Sequence, residues 1–187
     1  MSQKIKTTEI VIKQASLKTA TFVNFEINKE GWNLYKIEDG TLLKARVLLL
    51  GILMENKLEE IVKQLKPDEK PKLELAFHSK QIFSVESPLE LRGTPDSKTY
   101  TIAELRGFIV NKDVDFETIR EVWNIYELEN KITIKFKIAP VVVSKTNKFD
   151  RAGMPIYVVD SNIFSKTELP DHLRKLLKPR KISDSKS

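Results

Sequence analysis

Paired acidic and aromatic residues are the first candidates for chemistry in this chain. Carboxylates can act as general acid and base when burial separates their pKa values. The same carboxylates can instead form salt bridges with nearby lysines on a solvated strand face, and this second interpretation is the simpler one. The residues recur at a constant spacing of 91 positions: Glu26, Glu30, Trp32, Tyr35 and Glu38, with Glu117, Glu121, Trp123, Tyr126 and Glu129.

Trp32, Tyr35, Trp123 and Tyr126 admit two interpretations. Aromatic side chains can stack on nucleic-acid bases or provide the anchors of protein contacts. Large aromatic side chains also dominate the burial of a hydrophobic core. Because a fold anchor is needed once in every repeated unit, the presence of these residues in both copies favours a structural role.

Other catalytic and metal-binding signatures are missing from the sequence. The two histidines, His78 and His172, have no neighbouring ligand pattern, and the chain contains no cysteine. Zinc sites need three or four convergent ligands at recognisable spacing. The six glycines are too widely spaced for a phosphate-binding or dinucleotide-binding loop. We therefore expect no metal, no cofactor and, on balance, no enzymatic activity.

The positive charge is concentrated at the two ends of the chain. Of the net charge of +6, residues 1–18 carry +3 and residues 172–187 carry +5, so the body between them carries 6 − 3 − 5 = −2. Basic tails can hold phosphate backbones without sequence preference, although they are often no more than soluble termini. The candidate binding residues of this tail are Lys175, Lys178, Arg180 and Lys181.

The segment 148–155 (KFDRAGMP) is the best candidate for a functional loop. It is polar, and the first copy of the repeat has no counterpart to it. Long polar loops carry function more often than the elements that they connect. Asp150 and Arg151 are its candidate interaction residues, and the alternative is an ordinary exposed loop.

The acids, aromatics and loops are positioned by an internal repeat. Residues 23–47 align without a gap on residues 114–138, with nine identical pairs among 25. A weaker match places 82–84 on 163–165, at a spacing of 81. Repeats of this size predict two similar structural units. We divide the chain into a basic N-terminal arm (1–18), unit 1 (19–92), a connector (93–109), unit 2 (110–174) and a basic tail that we expect to be disordered (175–187).

Hydrophobic periodicity predicts strands for most of each unit. Alternation in 32–37 and 41–50 predicts a hairpin with a two-residue turn at Asp39-Gly40, and Leu43, Ala45 and Val47 on its inward face. The segment 116–123 fits a strand or a helical turn equally well. Helices are expected at 55–65, after the capping box Thr101–Glu104, and at 171–177. The fold class is α+β and β-rich: two tandem β-meander repeats packed about a pseudo-twofold axis as a barrel or sandwich, with a few short helices.

These features leave three functions open. The first is a non-catalytic interaction or scaffold module that binds a protein partner or itself, because a normal core signal accompanies no catalytic constellation. The second is nucleic-acid association through the basic ends, and the third is a carboxylate enzyme in the cleft between the units. The sequence lacks a signal peptide and a membrane span, which favours a cytoplasmic protein. Its 31% charged residues are typical of thermophilic proteins.

Overall fold

The computed structural model describes residues 10–12, 20–54 and 73–176, with the side chains of 20–54 and 75–173. This part of the chain is rich in β-strand and has few, short helices. Its strands are β1 (Ile10–Ile12), β2 (Thr21–Phe22), β3 (Phe25–Lys29), β4 (Asn33–Ile37), β5 (Leu42–Met54), β6 (Leu73–Glu86), β7 (Ile109–Asn111), β8 (Phe116–Arg120), β9 (Asn124–Leu128), β10 (Thr133–Phe149) and β11 (Pro155–Glu168). Its helices are a 3₁₀ turn (Leu89–Leu91), α1 (Ile102–Arg106) and α2 (Asp171–Leu176). None of these helices is long and apolar enough to cross a membrane.

The strands form two sheets. Sheet A has the order β1-β6-β5-β4-β8, and β2 also pairs with β5. Sheet B has the order β11-β10-β9-β3, and β7 also pairs with β10. All pairs are antiparallel except β1 with β6. No backbone pairing joins β6 to β11 in the described residues, so the two sheets do not close into a barrel there.

Each sheet contains one strand from the other half of the chain. The strand β3 pairs with β9 in sheet B, and β8 pairs with β4 in sheet A. The segment 25–37 therefore lies antiparallel to the segment 116–128, with paired residues at 25–29 and 34–37 and register shifts between Ile27 and Lys29 and between Leu34 and Tyr35. The sequence was compatible with either a strand or a helical turn at 116–120. The segment is a strand because its backbone pairs with β4 instead of forming hydrogen bonds within a helical turn.

The described hydrophobic core is one cluster with residues from both sheets, and it follows the alternation of the strands. In β4 the residues Asn33, Tyr35 and Ile37 are buried, and in β5 the buried face contains the predicted Leu43, Ala45 and Val47. Successive side chains of a strand point to opposite faces, so this alternation fixes which residues reach the core. The matching strands β9 and β10 bury their side chains in the same alternating pattern.

The two hairpin turns differ from the predicted two-residue turn. Ile37 N donates to Thr41 O and Gly40 N donates to Ile37 O, which leaves three residues in the turn. Only Gly40 has a positive φ (88°), whereas a two-residue turn at Asp39-Gly40 would need positive φ at both positions. The second hairpin has the same turn, with Lys131 at φ 63°. The prediction of a two-residue turn was therefore wrong.

Both long central strands carry a bulge at equivalent positions, 91 residues apart, and β10 has further register shifts between Lys145 and Phe149. Pairing with the outer strand shifts between Leu49 and Gly51 on β5, and between Pro140 and Val142 on β10. A bulge adds one unpaired residue and turns its side chain away from the regular pattern. The added residues, Leu50 and Val141, are 51% and 53% exposed.

The weaker alignment of 82–84 with 163–165 was wrong by one residue. In the pairings of β5 with β6 and of β10 with β11, equivalent residues of the outer strands differ by 82 positions rather than 81. A shift of one residue moves every side chain of a strand to the opposite face. Phe83 accordingly packs against the core, whereas Phe164 is 47% exposed.

The short helices agree with their sequence signals where the structure describes them. Thr101 and Glu104 form the predicted capping box at the start of α1. The helix α2 covers Asp171–Leu176, close to the predicted range. The predicted helix at 55–65 lies outside the described residues. The loop between β10 and β11 is much shorter than expected, because β10 continues through the polar segment to Phe149.

Candidate functional site

Two repeated carboxylates accept hydrogen bonds from tyrosines of the opposite repeat. The Tyr126 hydroxyl donates to Glu30 Oε1 at 2.7 Å, and the Tyr35 hydroxyl donates to Glu121 Oε1 at 3.0 Å. Both tyrosines are almost completely buried, so these bonds satisfy hydroxyl groups that would otherwise be costly inside a core. Each acid thereby connects the segment 23–47 to the segment 114–138.

A cation of the neighbouring strand accompanies each of these acids. Lys137 forms an ion pair with Glu121, and Arg46 Nη1 lies 3.8 Å from Glu30 Oε2. Burial alone would raise the pKa of Glu121, but the hydrogen bonds from Lys137 and Tyr35 outweigh it and lower that pKa below its usual value. The Glu121 carboxyl is therefore held as a carboxylate, which suits a salt bridge better than proton transfer.

Trp32 and Trp123 are half-buried and lie beside these cations. The Arg46 guanidinium is 5.1 Å from the centre of the Trp32 ring, and Lys137 Nζ is 5.7 Å from the centre of the Trp123 ring. Lys137 Nζ also lies 5.6 Å from the Phe164 ring. Cations over aromatic faces stabilise each other electrostatically at such distances. The tryptophans are thus neither core residues, as Tyr35 is, nor freely exposed.

Asn33 and Asn124 join the segments 23–47 and 114–138 through backbone groups. Each is buried, and each side chain both donates and accepts a hydrogen bond across the junction. The four bonds are Asn33 Nδ2 to Ile138 O (2.6 Å), Val122 N to Asn33 Oδ1 (2.7 Å), Asn124 Nδ2 to Val47 O (2.7 Å) and Gly31 N to Asn124 Oδ1 (2.9 Å). The two bonds of Asn33 and the two bonds of Asn124 join equivalent residues. Each residue of the first two bonds lies 91 positions from its counterpart in the last two.

The crossing point of the two segments is tightly packed. A Cβ atom on Gly31 would lie 2.9 Å from Val122 Cγ2, closer than side chains normally approach. The depression at this point, which Arg46 and Lys137 also line, encloses no space for a water molecule. This depression is therefore too small to hold a substrate.

The remaining repeated acids lie at the surface. Glu26, Glu38 and Glu117 are exposed, and exposed Glu129 accepts a hydrogen bond from Asn24 Nδ2 at 2.7 Å. No group of three or more histidine, aspartate and glutamate side chains in the described residues is arranged to hold a metal ion.

A second polar cluster connects the units at only one end of the molecule. Asp39 Oδ2 accepts from Lys145 Nζ at 2.7 Å and from the Tyr157 hydroxyl at 2.6 Å. The buried Thr41 hydroxyl lies 3.1 Å from that of Tyr157 and 3.2 Å from that of Ser87. Burial raises the pKa of Asp39, but its hydrogen bonds, led by that from Lys145, outweigh burial and lower the pKa to about 2.

The other end of the molecule replaces this cluster with largely apolar residues. The equivalent positions lie 91 residues away on the hairpins and central strands, and 82 residues away on the outer strands and just after them. They hold Asn130, Ile132, Met54, Leu75 and Leu169. The last four are buried in the hydrophobic core. The polar cluster therefore occupies positions whose counterparts are mostly apolar core residues. Comparing these two sets of positions in the sequence could have revealed it.

We expect Asp39→Asn, which installs the residue of the second turn, to lower the free energy of unfolding by about 1–2 kcal/mol at neutral pH. Because the folded state depresses the Asp39 pKa, its stabilising effect is full above the ordinary value of 3.8 and is lost as pH falls towards about 2. Urea unfolding of both proteins between neutral pH and about pH 2 measures this difference. A gap that stays constant across that range would contradict the prediction.

The candidate loop residues have local roles in the turn between β10 and β11. Asp150 Oδ1 accepts from the backbone N of Ala152 at 2.8 Å and of Met154 at 2.9 Å, which shapes the turn. Asp150 O accepts from Asp96 N at 3.1 Å, so the turn also holds the connector. Arg151 is exposed beside it.

The basic tail falls mostly outside the described residues. Lys175 contributes its backbone to α2, and its side chain is not described. Lys178, Arg180 and Lys181 lie beyond the last described residue.

Compared with known protein families, curated proteins and solved structures, the chain matches none of them.

Proposed function

We propose that residues 19–92 and 110–174 are two copies of one unit, related by a pseudo-twofold axis between Gly31 and Val122. Reciprocal hydrogen bonds of Asn33 and Asn124, the exchange of β3 and β8, and two bulges 91 residues apart support this duplication. In this arrangement the copies form an open sandwich, in which each unit lends its first strand to the other sheet.

We propose further that this scaffold is a non-catalytic interaction module whose binding surfaces are the outer faces of the sheets. The supporting observation is a row of three side chains across each outer face. The rows are Trp32, Arg46 and Ile82 on sheet A, and Trp123, Lys137 and Phe164 on sheet B. A surface that combines aromatic rings, a cation and exposed apolar groups has the composition of a protein-binding site.

The bulges add exposed apolar residues to these surfaces. Leu50 and Val141 are each about half exposed on the same strands as Arg46 and Lys137. The core between the sheets is filled without them, since the alternate residues of both strands are already buried. The exposure of Leu50 and Val141 is therefore better explained by a role in binding than by a role in folding.

The purified protein tests this proposal in two ways. Size-exclusion chromatography with light scattering reports self-association, and affinity capture from an extract of its own cells reports other partners. The triple variant Leu50→Ser, Val141→Ser and Phe164→Ser should fold but lose the interaction. A strictly monomeric protein that retains no partner, or a partner that the triple variant retains equally well, would reject the proposal.

A second candidate function, nucleic-acid association, rests on the charge of +5 in residues 172–187. Binding through phosphate contacts would weaken steeply with salt and would vanish when residues 175–187 are removed. Filter binding with a single-stranded oligonucleotide at low and physiological salt tests this. Salt-independent binding, or no binding at low salt, would exclude it.

A further inference from the structure

We draw no further inference here: the strongest candidate, the outer backbone edge of β11, which pairs with no strand in the described residues and carries Ile163 and Phe164 at 37% and 47% exposure, supports no proposal because nothing in the structure shows what covers it.

Discussion

Replacing Asn33 with alanine is expected to lower the free energy of unfolding by about 3 kcal/mol. The Asn33 side chain is 2% exposed and bonds both Val122 N and Ile138 O, so its removal leaves Val122 N without a partner and Ile138 O with only the 3.2 Å bond from the Tyr35 hydroxyl. Each unpaired buried group costs about 1–3 kcal/mol. Denaturant unfolding followed by circular dichroism measures the loss.

Asn124→Ala should cost a similar amount, because Asn124 makes the equivalent pair of bonds. The double variant would then lose a large share of the 5–15 kcal/mol that is typical of a domain, and we expect it to be largely unfolded at room temperature. Asn24→Ala is the matched control, since its bond to Glu129 is exposed, and it should cost less than about 0.5 kcal/mol. If the free energy of unfolding of Asn33→Ala stays within about 1 kcal/mol of the wild-type value, the buried hydrogen bonds do not stabilise the junction.

Gly93→Ala is expected to destabilise the protein by about 2 kcal/mol. A Cβ atom at this position would lie 2.4 to 2.6 Å from three atoms of the Phe149 ring, so the ring or the connector would have to move. Gly93 N also donates to Gly153 O at 3.0 Å, which fixes the connector against the turn between β10 and β11. Thermal unfolding and amide exchange at Gly93 measure the effect.

Relief of the clash is the control for this variant. Phe149→Leu removes the ring atoms nearest to Gly93, so the double variant Gly93→Ala, Phe149→Leu should be less destabilised than the sum of the two single changes. A double-mutant cycle isolates this coupling. Strict additivity, or a loss below about 0.5 kcal/mol for Gly93→Ala alone, would show that the packing at Gly93 is looser than the structure indicates.

The hairpins illustrate how far local sequence signals reach. The alternation in 41–50 predicted the buried face of β5, and the capping box predicted the start of α1. These features depend on residues a few positions apart, and their physical cause is the period of a strand or the first turn of a helix. The turn type was wrong, although Gly40 has the positive φ that its residue type suggested, because the turn contains one residue more.

The candidate site was predictable only in part. Repetition singled out Glu30, Tyr35 and Trp32 with their counterparts, but it did not show that each acid bonds the tyrosine of the other unit. The partner of β8 was equally hidden, since a strand's own sequence does not state which distant strand it will pair with. The weak outer-strand alignment failed for a related reason, because only the backbone pairing reveals a register.

The duplication at a spacing of 91, the alternating strand faces, the capping box and the absence of cysteine follow from the sequence by itself. These are local or compositional properties, which the chain carries before it folds. Only the tertiary structure decided that β3 pairs with β9 and β8 with β4. It also decided that Asn33 and Asn124 form hydrogen bonds with the backbone of the other segment, and that Asp39 pairs with Lys145. Such contacts join residues 77 to 106 positions apart, and their choice depends on how the whole core packs rather than on any one segment.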